Sequence, residues 1–135
     1  MSEQDPIVIV GSARTAMGGM QGDFAAVTAP QLGATAIEAA LQRAGINGDD
    51  VDEVIMGNVL GAGQGQAPAR QASKGAGIPD AVGATTINKM CGSGMKAAMF
   101  GHDLLVAGSA EVVVAGGMES MTNAPYLLPN ARSGM

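Results

Sequence analysis

The chain has one cysteine and one histidine in 135 residues, no tryptophan, one tyrosine and two phenylalanines. Each shortage excludes something. A lone cysteine forms no internal disulfide, which fits a reducing compartment. One cysteine and one histidine do not supply the ligands of a dedicated metal centre, so no metal is expected. Aromatics at 2% and a net charge of −5 leave neither the stacking platforms nor the basic footprint of a nucleic-acid binder. No apolar run approaches the roughly 20 residues that cross a bilayer. The acidic opening, Met1-Ser2-Glu3-Gln4-Asp5-Pro6, lacks the charged-then-apolar pattern of a secretion signal. The expected location is the cytoplasm, with no membrane and no nucleic acid as partner.

Nucleotide loops are missing too. Gly61-Ala62-Gly63-Gln64-Gly65 is G-x-G-x-G without the spacing of a dinucleotide fingerprint, and Gly11-Ser12-Ala13-Arg14 after the first apolar run also lacks it. No G-x-x-x-x-G-K-[ST] loop exists. These glycines are expected to serve turns and close packing. The seven cations, Arg14, Arg43, Arg70, Lys74, Lys89, Lys96 and Arg132, are scattered and read as solvated surface, although a local basic pocket for a phosphorylated ligand is compatible with the acidic balance.

What is present is 47% hydrophobic residues, with 21 glycines and ten methionines where aromatics would be. That is enough for one core built from small or adaptable side chains. Ile7-Val8-Ile9-Val10 reads as a strand buried on both faces. Pro30 opens a helix whose apolar face carries Leu32, Ile37, Ala40, Leu41 and Ala44, and Gly45 is placed to end it. Residues 51–60 read as a second strand, residues 68–76 as a helix with Pro68 in its first turn, and residues 82–88 as a third strand. Residues 93–106 read as a helix with Met95, Met99, Leu105 and Val106 near one face, and residues 111–117 as a fourth, apolar strand. This alternation predicts an α/β fold, a mostly parallel sheet with helices on both faces.

Cys91 falls where the third strand turns into the helix, in Asn88-Lys89-Met90-Cys91-Gly92-Ser93-Gly94. Free N–H groups and the dipole at a helix start favour an anion. Gly92 and Gly94 permit a sharp turn and a close approach to the sulfur, and the same N–H groups suit a developing oxyanion. A thiolate beside such donors is the minimum equipment for acyl transfer. The other reading of Cys91 is a small buried hydrophobe. His102, eleven residues further on and about three turns along the helix, is too far to be the base for Cys91 and reads as surface or capping. Arg70 and Lys96 are single helix cations with no assigned ligand. Glu119, after the last strand, reads as a capping or loop-ordering carboxylate.

Four segments carry a resemblance. Asn88-Lys89-Met90-Cys91-Gly92-Ser93-Gly94-Met95-Lys96-Ala97 resembles the nucleophile segment of the thiolases. Ser12-Ala13-Arg14-Thr15-Ala16-Met17-Gly18, residues 57–72 (GNVLGAGQGQAPARQA) and residues 115–126 (AGGMESMTNAPY) are similar to three further signatures of that family, in family order. Ala16 stands where the family usually has proline. The resemblance implies a thiolase N-terminal core domain over residues 1–118 and the start of a loop domain over residues 119–135. It implies that Cys91 is the catalytic nucleophile of acyl transfer between coenzyme A esters, as in acetyl-CoA acetyltransferases and fatty acid metabolism. Those esters are substrates, and no cofactor is expected. The family's activating histidine, water-holding asparagine and second cysteine have no match here, so the 135 residues by themselves are expected to turn over little. Association as a homo-oligomer, a tetramer, is implied by the same analogy. A non-catalytic assembly fragment and the related ketoacyl-synthase group are the alternatives.

Overall fold

The computed structural model describes residues 6–134. The acidic opening on which the secretion-signal reading rests lies, except for Pro6, outside the described residues, as does Met135.

Helix α1 (Ala29–Ala44) is bounded by its own sequence. Thr28 Oγ1 accepts the Gln31 N–H at 3.4 Å while Gln31 Oε1 accepts the Thr28 N–H at 2.9 Å, a reciprocal cap that occupies two otherwise unpaired donors. Pro30 sits in the first turn, where its missing N–H costs nothing. Gly45 closes the helix at φ 70°, a left-handed value that favours glycine. Replacing Thr28 with alanine is expected to cost about 1 kcal/mol, read as a lower denaturant midpoint at unchanged slope.

Three strands follow: β1 (Glu53–Gly57), β2 (Gly83–Ile87) and β3 (Val113–Gly117). They form a parallel sheet in the order β2-β1-β3, with Ile55 paired to Thr85 on one side and Ala115 on the other. Helix α2 (Pro68–Gly75) joins β1 to β2, and α3 (Ser93–Val106) carries the chain across β1 to the opposite edge. Central β1 is covered on both faces, as the α/β reading expects. Val54 and Met56 join Ile37, Leu41, Ala69 and Ala72 in one apolar cluster under α1 and α2. The alternate residue Gly57 points instead at the start of α3. The two helices of the first face meet through small residues: a Cβ on Gly75 would lie 2.9 Å from that of Ala34.

One expectation fails. Residues 7–10 are not a buried central strand. Among the described residues they pair with no strand, and Ile9 is 91% exposed. They run along one wall of a cavity of about 590 Å³ that β3, α1 and α3 also line, beside the three-stranded sheet and not in its ladder. On α3 the methionines do not lie on the buried face. Met95 (76% exposed), Met99 and Val106 point outward, and Ser93, Ala97 and Gly101 are the buried positions. The reason is distance: a Cβ at Gly101 would already sit 3.1 Å from Val113 Cγ1, so only small residues fit between helix and sheet.

The cations are more structural than a solvated surface requires. Arg43 donates to Ser12 O at 2.6 Å, Arg70 donates to Asp80 O at 3.0 Å, and Lys74 pairs with the Asp80 carboxylate. The Lys74 hydrogen bond, then its charge, lowers the Asp80 pKa. Asp52 is also lowered, by the N–H groups of Val112 and Glu111, which donate to its Oδ2 at 3.0 and 2.7 Å. A depressed folded-state value stabilises above the unfolded carboxylate value and is lost as pH falls through the folded one. Asp52→Asn is therefore expected to flatten the loss of stability below about pH 4, measured by denaturation at a series of pH values.

Candidate active site

All three strands end together. Gly57 is in register with Ile87 and with Gly117, and the segments leaving those residues meet at one edge. The start of α3 rests on this edge. A Cβ on Gly57 would lie 2.5 Å from Ser93 Cβ and 2.7 Å from its carbonyl carbon, so the close seat of the helix depends on that glycine. Gly94 lies beside the end of β3, its would-be Cβ 3.6 Å from Gly117 N.

The turn that presents Cys91 is built from side chains bonding to backbone. Asn88 Oδ1 accepts the Met90 N–H at 2.9 Å. Ser93 Oγ accepts the Lys89 N–H at 2.8 Å and donates to Met90 O at 2.6 Å, while Ser93 N–H donates to the same oxygen at 3.0 Å. Gly92 N–H closes onto Lys89 O at 3.1 Å. Met90 is held at φ 51°, which costs a non-glycine residue about 1–3 kcal/mol. The sharp turn is therefore made by Met90 and not by Gly92, whose φ is −87°.

Cys91 emerges from this turn as an exposed free thiol. The buried-hydrophobe reading is thereby removed. Among the described residues its N–H and that of Gly94 donate to no protein acceptor, as expected at a helix start. A sulfur open to solvent, with unpaired backbone donors at the same helix start, is an arrangement that can attack a carbonyl and hold the negative oxygen that results.

Glu119 orders a loop, as its position after β3 suggests. Its carboxylate accepts from Val59 N–H at 2.9 Å, Leu60 N–H at 3.1 Å and Asn58 Nδ2 at 3.0 Å. Asn58 is 4% exposed and donates also to Met118 O at 3.2 Å. Asn58, Asn88 and Ser93 were not singled out by the sequence reading. The available signal was chemical: Asn and Ser compete for nearby backbone donors and so recur at turns and helix starts.

The other candidates stay apart from the sulfur. His102 is exposed, 3.6 Å from Asp103, and nine residues into α3 from Ser93, about 13 Å along the axis. Lys96 Nζ lies 4.3 Å from the centre of the Phe100 ring, a cation–π contact. Gly63 and Gly65 adopt φ of 76° and 79°, which accounts for the glycine-rich loop as turn structure. Among the described residues no three His, Cys, Asp or Glu side chains gather as metal ligands, and no helix is long and apolar enough to cross a membrane.

The chain is a parallel α/β domain with an exposed cysteine between a strand end and a helix start. Its family follows from comparison: the profile described as the thiolase N-terminal domain matches residues 7–135, and the chain belongs to the thiolase family. Acetyl-CoA acetyltransferase of Cupriavidus necator is 56% identical over 128 residues, covering 95% of this chain and 33% of that protein. The cytosolic acetyl-CoA acetyltransferase of Gibberella zeae is 52% identical over 134 residues, covering 99% and 34%. The mitochondrial acetyl-CoA acetyltransferase of Xenopus tropicalis is 55% identical over 122 residues, covering 90% and 29%. The crystal structure of the Acat5 thiolase of Ascaris suum in complex with coenzyme A superimposes with a TM-score of 0.89 at 37% identity, over 91% of this chain and 32% of that one. The chain thus spans about a third of the length of these relatives.

Proposed function

We propose that this chain carries the nucleophilic half-reaction of an acetyl-CoA acetyltransferase, with Cys91 as the catalytic residue. The observation that carries the reading is the exposed Cys91 thiol beside unpaired N–H groups at the start of α3. The Cys91 thiolate attacks the thioester carbonyl of an acyl-CoA. The carbonyl π electrons move to oxygen, and the Cys91 and Gly94 N–H groups face that charge. Collapse expels coenzyme A as its thiolate, which is protonated from the solvent that took up the cysteine proton, and leaves the acyl group as a thioester on Cys91. A second acyl-CoA accepts the acyl group in condensation, and coenzyme A accepts it in thiolysis. Splitting the transfer in two is effective because a thioester is itself a good acyl donor.

Coenzyme A esters are the proposed substrates, supported by the names of the relatives and by the coenzyme A in the Ascaris suum complex. The groups that complete the cycle are assigned to residues outside this sequence. Residues 1–118 form the proposed core domain and residues 119–135 the start of a loop domain. A homotetramer and cytoplasmic residence are the remaining parts of the proposal, supported by the family analogy and the cytosolic relative.

The test is a rapid-mixing experiment with acetyl-CoA. The proposal expects release of about one coenzyme A per chain, the stoichiometric first step of a ping-pong enzyme, followed by little further turnover. Release no faster than spontaneous hydrolysis of acetyl-CoA would contradict it and leave the chain an assembly module.

A further inference from the structure

Glu119 is half-buried, and among the described residues its carboxylate meets no cation. Its acceptor capacity is directed at the loop leaving β1, through Val59 N–H, Leu60 N–H and Asn58 Nδ2. The Asn58 amide is oriented by that contact. Its Nδ2 serves Glu119 and Met118 O, and its Oδ1 is left buried without a protein partner. Flipping the amide would place oxygen against the carboxylate, so the unpaired oxygen is retained in order to keep the Glu119 bond.

The same loop is joined twice to the segment leaving β2. Asn58 N–H donates to Ile87 O at 3.0 Å, and Asn88 Nδ2 donates to Val59 O at 3.5 Å. Asn88 then uses its other amide atom on Met90 N–H, the residue held at positive φ directly before Cys91. A continuous run of hydrogen bonds therefore leads from Glu119 through Val59 and Asn88 to Met90. We infer that Glu119 is a positioning residue for Cys91, holding the nucleophile turn through the β1 exit loop and Asn88. The inference rests on the reading of Cys91 as nucleophile, since positioning has meaning only for a reacting atom.

The test uses the 135-residue chain and the variants Glu119→Ala, Glu119→Gln, Asn88→Asp and Glu119→Ala with Asn88→Asp. Three quantities are measured: hydrogen exchange of the Met90 amide, acetylation of Cys91 by acetyl-CoA, and the denaturant midpoint. Glu119→Ala is expected to speed Met90 exchange and slow acetylation, each about tenfold, while amide exchange at Val54 and Ile55 stays as in the unsubstituted chain. Glu119→Gln, which keeps one acceptor oxygen, restores part of both. Asn88→Asp keeps the acceptor for Met90 and removes the donor to Val59, so adding Glu119→Ala to it changes Met90 exchange by no more than about twofold. Unchanged Met90 exchange in Glu119→Ala overturns the inference, as do effects of Glu119 and Asn88 that multiply. If the unsubstituted chain takes no acetyl group, the nucleophile reading fails, and Met90 exchange still decides whether Glu119 orders the turn.

Discussion

Cys91→Ala is expected to remove the proposed stoichiometric release of coenzyme A and to leave the fold intact. The sulfur is exposed and outside the apolar cluster, so its loss takes no packing away and stability is expected to stay within about 0.5 kcal/mol. The turn is held by Asn88, Ser93 and backbone groups, none of which needs the thiol. Release should fall at least about 10³-fold, because water is the only nucleophile left. Cys91→Ser separates chemistry from geometry: the turn is the same, but a hydroxyl without an adjacent base is a far weaker nucleophile than a thiolate. A loss of similar size is expected for serine. Release at the unsubstituted rate in either variant, with intact-mass confirmation of the substitution, would move the reaction away from residue 91.

The largest structural effect is expected at Gly57. A methyl group there would meet Ser93 Cβ at 2.5 Å, Ser93 C at 2.7 Å and Gly94 N at 2.9 Å. Two of these atoms belong to the backbone and cannot swing aside like the end of a flexible side chain. Gly57 cannot retreat either, since its strand is paired on both sides, with Ile87 and with Gly117. Helix α3 must therefore lift from the sheet. We expect Gly57→Ala to cost about 3 kcal/mol or more, at the severe end of overpacking. Acetylation of Cys91 in the fraction that still folds should fall about 10²-fold, since a displacement near 1 Å at a reacting group has that effect. Gly94→Ala is the stability control. The nearest atom to its Cβ is at 3.6 Å, an ordinary contact, so its stability should change by less than about 1 kcal/mol. Equal denaturant midpoints for Gly57→Ala and the unsubstituted chain would refute the close seat of α3 on β1.

Elements governed by local chemistry were legible before the structure. Pro30 and Gly45 mark α1 because first-turn and cap residues act within four positions of themselves, and the Thr28 cap completes its start. The bounds of α3 agree with the sequence reading at Ser93 and Val106, and the placement of Cys91 follows from them. What depends on distant contacts was not legible. Residues 7–10 have the composition of a buried strand, but burial needs a neighbour, and composition cannot say whether one is there. The methionines of α3 share one face of the helix, but periodicity does not say which face meets the sheet, and the spacing between helix and sheet selects Ser93, Ala97 and Gly101 as the buried positions. The network around Cys91 joins Asn58 to Glu119, 61 positions apart, and forms only because three parallel strands end at one level. Ser93 and Asn88 carry residue types that suit turns, but their partners are fixed by the backbone path of the turn itself.

The most direct measurement is the mass of the intact chain before and after exposure to acetoacetyl-CoA, with peptide mapping of any adduct. One acetyl group on the peptide that contains Cys91, and none on the Cys91→Ala chain, is the predicted result. An unmodified chain, or an acetyl group on any other residue, would contradict the assignment of Cys91 as the nucleophile.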